Sequence, residues 1–490
     1  MSDEILLDVL ASFSQARVVV LGDVMLDRFL YGSVERVSPE APVPVIALQR
    51  TANMPGGAAN VARNVAALGA NVVLVGVVGA DEAAIELRNQ LTGPSSFQTH
   101  LTVDATRPTT TKTRYIADQQ QILRTDHEVS APIGELVAEA MLEQYAAALA
   151  GADIVILSDY GKGALSDAVT ARAIKAATAA GKRVLVDPKN RNFAKYRGAT
   201  VLTPNKHELQ LASGHECETD AQVVAAANEV IECGICETVI ATRGKDGMSI
   251  IQKRSAPIHI HTVATEVYDV TGAGDTAVAA MAVALAGGAD TRNAARLGNL
   301  AAGIVVGKYG TATATRDEIL ARLGDAEASD HSATSFTLER VQVLLGRWRR
   351  LGLQVAFTNG CFDMLHPGHV SLLNQARRAA DRLIVGLNSD RSVRRLKGPN
   401  RPIQNAASRA MVLSSLRAVD AVVVFDEDTP LHLIAALEPD VLVKGADYTV
   451  ATVVGADLVL ARGGKVILAD LVPSHSTTET IRRIASVKKA

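Results

Sequence analysis

Short runs of β-branched and aliphatic residues alternate with alanine-rich segments across residues 1–325. Each run has the length and the glycine or polar boundaries of a buried strand, whereas the alanine-rich segments are long enough for helices. Strands and helices that alternate in this way build parallel sheets with helices on both faces. The pattern therefore predicts an α/β fold with a doubly wound sheet. The predicted strands lie at residues 17–21, 72–78, 154–157, 183–186, 201–203 and 238–241.

Two segments of the same region follow a different pattern. Residues 34–48 alternate apolar and polar positions around three prolines, which is typical of an edge strand or a lid rather than of a central strand. Residues 109–124 alternate as well, with polar side chains on both faces, and an edge strand explains them. The alternative is that Lys112, Arg114 and Arg124 hold the phosphate of a phosphorylated sugar.

A second domain follows a segment that is poor in large apolar residues. Residues 324–335 have the composition of a linker, and residues 338–350 predict an amphipathic helix. A new strand at 354–358 then leads into a helix that begins at Pro367. The predicted domains are residues 1–325, a linker with its connecting helix at 326–350, and a second α/β domain at 351–490.

Length and composition agree with two globular domains. At 490 residues the chain exceeds the roughly 250 to 300 residues that one hydrophobic core serves. Only 3% of the residues are aromatic and the formal charge is -2, so nothing favours a nucleic-acid partner. The N-terminus lacks the pattern of a secretory signal, and no apolar run approaches the roughly 18 residues of a membrane helix. We expect a cytoplasmic protein without a membrane partner.

The four cysteines fit a reducing compartment. Cys233 and Cys236 form a C-x-x-C pair, and His215 and Cys217 lie upstream, so a zinc site is an alternative. Structural zinc sites usually combine two well-spaced ligand pairs, whereas His215 and Cys217 are separated by one residue. Free thiols are therefore favoured, and no directly bound metal is predicted.

Polar clusters follow four of the predicted strands. They lie at residues 158–163, 187–189, 205–208 and 242–247. In parallel sheets, ligands bind where the carboxyl ends of the strands meet, so four such clusters favour a phosphate-binding cleft over chance. Asp23 and Asp27 also follow a strand, and they either face a substrate hydroxyl or act as surface caps.

A glycine-containing turn is the central feature of the first domain. Gly272 and Gly274 allow a ligand close to the backbone, and the helix that starts there presents unpaired N–H groups and a favourable dipole to an anion. Asp275, on the first helical turn, suits proton removal from an alcohol. The alternative is an ordinary glycine turn with an acidic helix cap.

The second domain has a comparable helix start. His366 and His369 flank Pro367 at three-residue spacing, which places two imidazoles and a helix dipole beside one anion site. Two histidines at this spacing also suit a metal, but no third ligand lies near in the sequence. The anion site is favoured.

The stretches Pro55-Gly-Gly-Ala-Ala-Asn60 and Asp269-Val-Thr-Gly-Ala-Gly-Asp275 resemble the two signatures of the ribokinase family of sugar kinases. The resemblance covers residues 1–325 and implies a ribokinase-like doubly wound sheet with a β lid. It implies that Asp275 takes the proton of the acceptor hydroxyl and that amides from Gly272 to Asp275 hold the γ-phosphate. The implied ATP-binding residues are Asn205, Lys206, His207, Glu208, Thr242, Arg243, Gly244, Gly247, Gly272, Ala273 and Gly274, with Glu208 near Mg²⁺. The expected sugar-binding residues are Asp23, Asp27, Gly56, Gly57, Asn60, Lys112, Arg114, Lys162 and Lys189.

The stretch from Asn359 to His369 resembles the Gly-x-Phe-Asp-x-x-His-x-Gly-His motif of the nucleotidyltransferase superfamily. The resemblance implies a Rossmann-like domain in which an acceptor phosphate attacks the α-phosphorus of a nucleoside triphosphate. His366 and His369 would stabilise the charge that shifts onto the triphosphate. The other implied nucleotide-binding residues are Asn359, Gly360, Cys361, Phe362, Asp363, Lys397, Arg401, Arg409, Asp447, Ser476, Thr477 and Thr478.

A sugar kinase followed by a nucleotidyltransferase is similar to the bifunctional heptose enzymes of lipopolysaccharide core synthesis. That resemblance implies phosphorylation of D-glycero-β-D-manno-heptose 7-phosphate at the anomeric hydroxyl, and AMP transfer to heptose 1-phosphate to give ADP-heptose. It also implies ATP with Mg²⁺ as cofactor and a homodimer formed through the lid. The alternatives are a cytidylyltransferase for another phosphorylated sugar or polyol, and a catalytically inactive sensing module in one half.

Overall fold

The computed structural model describes residues 2–92, 96–117, 120–189, 192–262, 269–308, 310–329, 337–350, 352–446 and 448–470. The chain forms two compact units, residues 1–325 and 326–490. Among the described residues, no helix combines the length and apolar character needed to cross a membrane.

The first unit contains a large sheet and a small one. Its strands are β1 (Arg17–Gly22), β2 (Val24–Val37), β3 (Pro44–Gly57), β4 (Asn71–Val78), β5 (Phe97–Val103), β6 (Thr110–Ala117), β7 (Gln120–His127), β8 (Ile154–Ser158), β9 (Arg183–Asp187), β10 (Ala199–Leu202), β11 (Cys236–Thr242), β12 (Met248–Gln252) and β13 (Ile258–Ile260).

The described residues of the same region include ten helices, of which the last ends at Ser329. They are α1 (Ser2–Ser12), α2 (Ala58–Ala67), α3 (Glu82–Gln90), α4 (Glu135–Leu149), α5 (Asp167–Ala179), α6 (Lys206–Ser213), α7 (Asp220–Glu232), α8 (Ala273–Ala286), α9 (Thr291–Val305) and α10 (Arg316–Ser329).

The large sheet has the order β13-β12-β11-β10-β9-β8-β1-β4-β5. Its strands are parallel from β5 to β11, and β12 and β13 are antiparallel additions at one edge. Alternate residues of β1 enter different cores: Val18 and Val20 pack on one face, and Val19 and Leu21 on the other. Helices therefore cover both faces, as the continuous apolar runs predict.

The small sheet has the order β3-β2-β6-β7 and forms the lid. β2 pairs antiparallel with β3 and parallel with β6, and β6 pairs antiparallel with β7. Residues 34–48 are thus the outer end of the long β2–β3 hairpin. The single edge strand that we expected at 109–124 is wrong, because this segment forms β6 and β7, and the lid strand β6 lies inside the small sheet.

The second unit is a five-stranded parallel sheet between helices. Its strand order, β16-β15-β14-β17-β18, reverses direction at β14, where ligands bind in open α/β sheets. Alternate residues of β14 again enter two cores, with Phe357 on one face and Ala356 on the other. The strands are β14 (Val355–Gly360), β15 (Arg382–Asn388), β16 (Ala421–Phe425), β17 (Val441–Gly445) and β18 (Lys465–Ala469). The helices are α11 (Leu338–Arg350), α12 (Pro367–Arg378), α13 (Asp390–Lys397), α14 (Ala406–Ser414), α15 (Leu431–Leu437) and α16 (Ala456–Ala461).

The predicted linker differs in part from the structure. Helix α10 continues to Ser329, so the first residues of the segment 324–335 are helical rather than irregular. Alanine and glutamate favour helix, and a segment that is poor in large apolar residues still extends a helix when its helix propensity is high.

Arg409 is the largest side chain that is completely buried among the described residues. Its guanidinium donates to the backbone oxygens of Gln404 at 3.0 Å, Cys361 at 2.6 Å and Asn388 at 2.9 Å. It also pairs with Asp390 at 2.7 Å. One side chain of α14 therefore joins the loops that follow β14 and β15. Its donors are directed at protein groups, which makes it a support for those loops and corrects the expectation that it contacts the nucleotide.

We predict that Arg409→Met lowers the free energy of unfolding of the second unit by about 3 kcal/mol, because it removes the partner of several buried acceptors. Hydrogen exchange measured by mass spectrometry checks this, since protection of the amides in β14 and β15 should fall. Arg391→Met is the matched control, because Arg391 pairs with Asp426 on the surface and is 76% exposed. Unchanged protection in Arg409→Met would contradict the supporting role.

Candidate active sites

Helix α8 of the first unit begins at a turn whose shape is held by Asp269. Its two carboxylate oxygens accept from the backbone N–H of Thr271 at 2.9 Å and of Gly310 at 3.0 Å. Gly272 has a φ of 79°, and a Cβ there would lie 2.9 Å from Nδ2 of Asn60. Glycine is therefore needed for both conformation and space. The N–H of Ala273 donates to the backbone oxygen of Val270 at 3.2 Å. The first amides of a helix have no acceptor within the helix itself, and an anion is stabilised there.

Asp275 lies on the first turn of α8 and is 5% exposed. Nδ2 of Asn60 donates to its Oδ2 at 2.7 Å, and the hydroxyl of Tyr160 donates to its Oδ1. Burial raises the pKa of Asp275 to about 6, against the lowering effect of these two donors. A carboxylate with this pKa is still mainly ionised at neutral pH and is a stronger base than an exposed aspartate.

Helices α2 and α8 are joined behind this carboxylate by three polar side chains. Asn64 donates to the backbone oxygen of Asn60 at 3.0 Å, and Thr276 donates to Oδ1 of Asn64 at 2.8 Å. All three are buried, and their hydrogen bonds offset the cost of burial. Asn60, which we expected to contact the sugar, is therefore held against Asp275.

A cavity of about 890 Å³ opens in front of this turn. The residues at its polar side come from the strand ends that the sequence singled out, and Asp275 and Tyr160 lie at its inner end. Its apolar side is formed by Met248, Val270, Ala277, Val278 and Val306, a surface suited to a nucleobase. All the residues expected to bind ATP in this unit line the cavity: Asn205, Lys206, His207, Glu208, Thr242, Arg243, Gly244, Gly247, Gly272, Ala273 and Gly274.

Several of these polar residues also have structural partners. Asn205 and Glu208 form a capping box at the start of α6, and Oε1 of Glu208 is 3.1 Å from Nζ of Lys189. Lys206 pairs with Asp246 at 2.9 Å. Arg243 is buried and donates to Ser249 at 3.1 Å. The α6 cap and the turn after β11 therefore have a fixed shape without ligand.

Asp187 and Tyr160 were absent from the site predicted by sequence. Asp187 ends β9 beside Ser158 of β8, and burial, Asp275 and Glu208 together raise its pKa well above the ordinary value. Both residues belong to polar clusters at strand ends that the sequence did reveal. Pattern alone, however, does not indicate which member of a cluster faces the cavity.

The expected sugar-binding residues have different surroundings. Asp23 is 2% exposed and accepts from the backbone N–H of Tyr160 at 2.8 Å, Lys162 at 2.9 Å and Ala164 at 3.1 Å. This burial excludes the surface-cap interpretation of Asp23, whereas its contact with a sugar stays a prediction. Asp27 is also buried, so the cap interpretation is wrong for it too.

Charged residues of the lid and of the segments that follow β7 and β8 form pairs. Asp27 is bound to Arg114 at 2.5 Å, and Lys162 to Glu128 at 2.6 Å. Burial and the neighbouring charge of Lys162 lower the pKa of Lys112. The positive charges of Lys112 and Lys162 repel each other, and a bound anion would relieve this repulsion. Gly56 and Gly57 end β3 close to Asp27 and Asp23, respectively. Lys189 lies on the wall of the cavity.

In the second unit, His366 is the N-cap of α12 and His369 lies in its first turn. Their rings are stacked, with 3.8 Å between centroids, and the ring of Phe362 is 5.1 Å from His369. Burial, followed by the neighbouring His366, lowers the pKa of His369 to about 4. His369 is therefore a neutral imidazole at neutral pH. The helix start that Pro367 predicts is present.

The loop after β14 is fixed by its own charges. Asp363 is buried, pairs with Arg401, and accepts from the backbone N–H of Ile403 at 2.7 Å and of Gln404 at 3.1 Å. Nζ of Lys444 donates to the backbone oxygen of Asn359 at 2.9 Å. Asp363 therefore positions the loop, whereas Gly360 and Cys361 form its backbone.

The remaining predicted residues of this site lie elsewhere. Lys397 ends α13. Burial raises the pKa of Cys361, and the charge of Lys397 opposes part of this increase. Asp447, Ser476, Thr477 and Thr478 lie outside the described residues.

A cavity of about 660 Å³ lies beside His366. It follows one side of α12 and is formed by Leu365, Pro367, Val370, Asn374 and Arg378 together with neighbours on the same helix. Among the described residues that we expected to bind the nucleotide, only His366 lines this cavity.

Two families match the chain. Residues 15–318 match the family described as pfkB family carbohydrate kinase, and residues 357–483 match the family described as cytidylyltransferase-like. The chain is 53% identical over 484 residues to the bifunctional protein HldE of Caulobacter sp. strain K31, with 98% of both chains covered. It is 50% identical over 480 residues to HldE of Rhodospirillum rubrum, covering 98% of this chain and 97% of that protein.

Solved structures match the first unit. Ribokinase from Arabidopsis thaliana, complexed with ribose and ATP, has a TM-score of 0.52 at 23% identity, covering 63% of this chain and 98% of that chain. Phosphofructokinase-2 from Escherichia coli, in complex with substrates and products, has a TM-score of 0.55 at 21% identity, covering 63% and 99%. Such identities show the fold alone.

These comparisons confirm the predicted ribokinase-like fold with a nucleotidyltransferase-like second domain, and they identify an enzyme with kinase and nucleotidyltransferase activity. Over nearly its whole length, the chain belongs to the family of bifunctional HldE proteins, in which a pfkB family carbohydrate kinase is joined to a cytidylyltransferase-like domain.

Proposed function

We propose that the first unit transfers the γ-phosphate of ATP to the anomeric hydroxyl of D-glycero-β-D-manno-heptose 7-phosphate. We propose that the second unit transfers AMP from ATP to heptose 1-phosphate, giving ADP-heptose and pyrophosphate for lipopolysaccharide core. The observation that carries the proposal is the presence, in one chain with full-length HldE relatives, of two intact helix starts suited to phosphate. A cytidylyltransferase for another substrate is not favoured, because relatives that match nearly the whole chain at 50% and 53% identity are HldE proteins.

Asp275 is the proposed base of the kinase reaction. It takes the proton of the sugar hydroxyl while the hydroxyl oxygen attacks the γ-phosphorus and ADP leaves. Amides from Gly272 to Asp275 face the charge that develops on the transferring group. General base catalysis contributes about 10²- to 10⁴-fold, and the remaining acceleration comes from positioning and charge stabilisation.

Lys112 and Lys162 are the proposed holders of the sugar phosphate. Their mutual repulsion would be relieved by a dianion, and Asp126, Glu128 and Asp27 balance part of their charge in its absence. Lys162 is paired with Glu128 and Arg114 with Asp27, so a phosphate bound to either cation would compete with a carboxylate.

Mg²⁺ bound to ATP fits the same cavity. Burial, followed by the charges of Asp275 and Glu208, raises the pKa of Asp187. Asp187 and Glu208 both line the cavity, and a cation would stabilise two carboxylates placed in this way. Mg²⁺ usually binds one or two carboxylates together with substrate phosphates and water. When bound, it would neutralise charge on the phosphates.

The second reaction needs no protein base. The acceptor phosphate is already ionised, attacks the α-phosphorus of ATP, and pyrophosphate leaves. His366 and His369 with the start of α12 face the charge that shifts onto the leaving group. Because the product of the first reaction keeps its 7-phosphate, a separate phosphatase must act between the two steps.

We also propose a homodimer formed through the lid. Strand β7 pairs with β6 along one edge, and every residue from Gln120 to His127 is exposed. Long open edge strands of this kind are normally covered in stable proteins. A second copy of the chain, with the same exposed edge, is the proposed partner.

We predict that Asp275→Asn abolishes sugar phosphorylation, with a loss of at least about a hundredfold, and leaves AMP transfer unchanged. The amide keeps the size of the side chain but cannot accept the proton. The measurement is the rate of ADP formation from heptose 7-phosphate and of pyrophosphate formation from heptose 1-phosphate.

His366→Ala provides the reciprocal test in the same assays. It should reduce pyrophosphate formation by about tenfold to a hundredfold while ADP formation continues at the wild-type rate. If either variant lost both activities while remaining folded, the independence of the two sites would be wrong.

We predict that the kinase turnover rate decreases below about pH 6, because the ionised form of Asp275 is lost as the pH falls through the pKa of about 6. The sign follows from the raised pKa, since the base is present above this value and protonated below it. The measurement is kcat between pH 5 and 9, with substrate phosphates titrated separately by phosphorus NMR. A constant kcat down to pH 5 would exclude Asp275 as the base.

For the proposed dimer, we predict that Leu123→Glu shifts the sedimentation coefficient to that of a monomer, because a charge at the exposed lid edge opposes pairing. Leu136→Glu is the control, since Leu136 is 88% exposed on α4. A wild-type protein that already sediments as a monomer would contradict the proposal.

A further inference from the structure

The phenol of Tyr160 occupies one oxygen of the Asp275 carboxylate, and the amide of Asn60 occupies the other. We propose that Tyr160 is a positioning residue that fixes the orientation of Asp275 and keeps it as a proton acceptor. This inference rests on the proposed role of Asp275 as the base. Tyr160 itself keeps its proton throughout, and the proton of the sugar hydroxyl passes only to the carboxylate.

The loop that carries Tyr160 is built around two buried carboxylates. Asp23 accepts from three of its backbone amides, including that of Tyr160 itself at 2.8 Å. Asp159 accepts from the backbone N–H of Gly161 at 2.8 Å, from Nζ of Lys195 at 2.7 Å and from the hydroxyl of Tyr196 at 2.7 Å. Their shared effect is to hold the backbone of the loop so that the phenol reaches Asp275.

The chemistry of the phenol suits a fixed donor. Burial, and then the charge of Asp275, raise the pKa of Tyr160 well above its ordinary value. The hydroxyl therefore stays protonated at any pH at which the enzyme works and cannot replace Asp275 as base. A neutral donor stabilises the ionised carboxylate and leaves its negative charge in place. A lysine in the same place would neutralise that charge.

Other charges act on the same carboxylate. Asp27 from the lid raises the pKa of Asp275, and Lys189 after β9 lowers it. Asp187 at the end of β9 and Asp275 oppose each other's ionisation. These longer-range effects partly cancel. The hydrogen bonds from Tyr160 and Asn60 are the largest influences that oppose burial.

The test is the pH dependence of kcat for sugar phosphorylation in Tyr160→Phe. Loss of one hydrogen bond to the ionised Asp275 should raise its pKa by about one unit, so the fall of kcat at low pH (the acidic limb) moves to higher pH by the same amount. Activity at pH 6 should then be about fivefold lower than in the wild type and should recover at high pH. The KM for ATP should stay close to that of wild type. An acidic limb at the wild-type position would overturn the proposal, whatever the height of the plateau.

Tyr145→Phe is the matched control. Its hydroxyl is also buried, but it donates to the backbone oxygen of Ala173 at 3.1 Å, between α4 and α5. Removing it should lower stability without moving the limb. AMP transfer by the second unit, measured on each variant, reports whether the chain is intact.

A second replacement guards against misfolding of Tyr160→Phe. Substitution of Tyr160 by 3-fluorotyrosine keeps the ring and the hydroxyl but makes the phenol a stronger donor, so the limb should move to lower pH. No displacement would overturn the proposal. The two hypotheses remain distinguishable. Sugar phosphorylation by Asp275→Asn would refute the role of Asp275 as the base. If Asp275→Asn is inactive but the acidic limb of kcat is unmoved in both Tyr160 variants, only the role of Tyr160 is refuted.

Discussion

A negative charge held inside the protein at the start of α8 is the constraint around which the first unit is built. Burying a carboxylate is costly unless hydrogen bonds compensate, and here the donors come from α2 and from the loop after β8. Each donor is itself held by further buried contacts, through Asn64 and Thr276 on one side and Asp23 on the other. The compensation is incomplete, and the remainder appears as the raised pKa of Asp275, which suits its proposed role as the base.

The second unit has a different requirement in its proposed reaction. The proposed acceptor is already charged, so stacked imidazoles and helix amides take the place of a base in the proposal. The burial that raises the pKa of Asp275 lowers that of His369, because burial always favours the uncharged form. The fixed charges of this unit, Arg409 and Asp363, are turned toward backbone groups and maintain the loops that the nucleotide would meet.

Local pattern predicted the sheets and the two helix starts well, because apolar periodicity and glycine turns act over a few residues. It did not reveal partners that are far apart in the chain. Tyr160 and Asp275 are separated by 115 positions, and Arg409 and Cys361 by 48. Whether an aspartate such as Asp23 faces a ligand or a set of backbone amides depends on such distant contacts. Local pattern therefore predicts the position of the cleft better than it predicts the role of each polar residue near it.

The most direct measurement of the central claim is product identification by mass spectrometry after the purified chain is incubated with ATP and each of two sugar phosphates in turn. The account predicts heptose 1,7-bisphosphate and ADP from heptose 7-phosphate, and ADP-heptose and pyrophosphate from heptose 1-phosphate. If one of these reactions does not occur, or if a product forms from the other sugar phosphate, the claim that the chain has two separate phosphate-binding helix starts is contradicted.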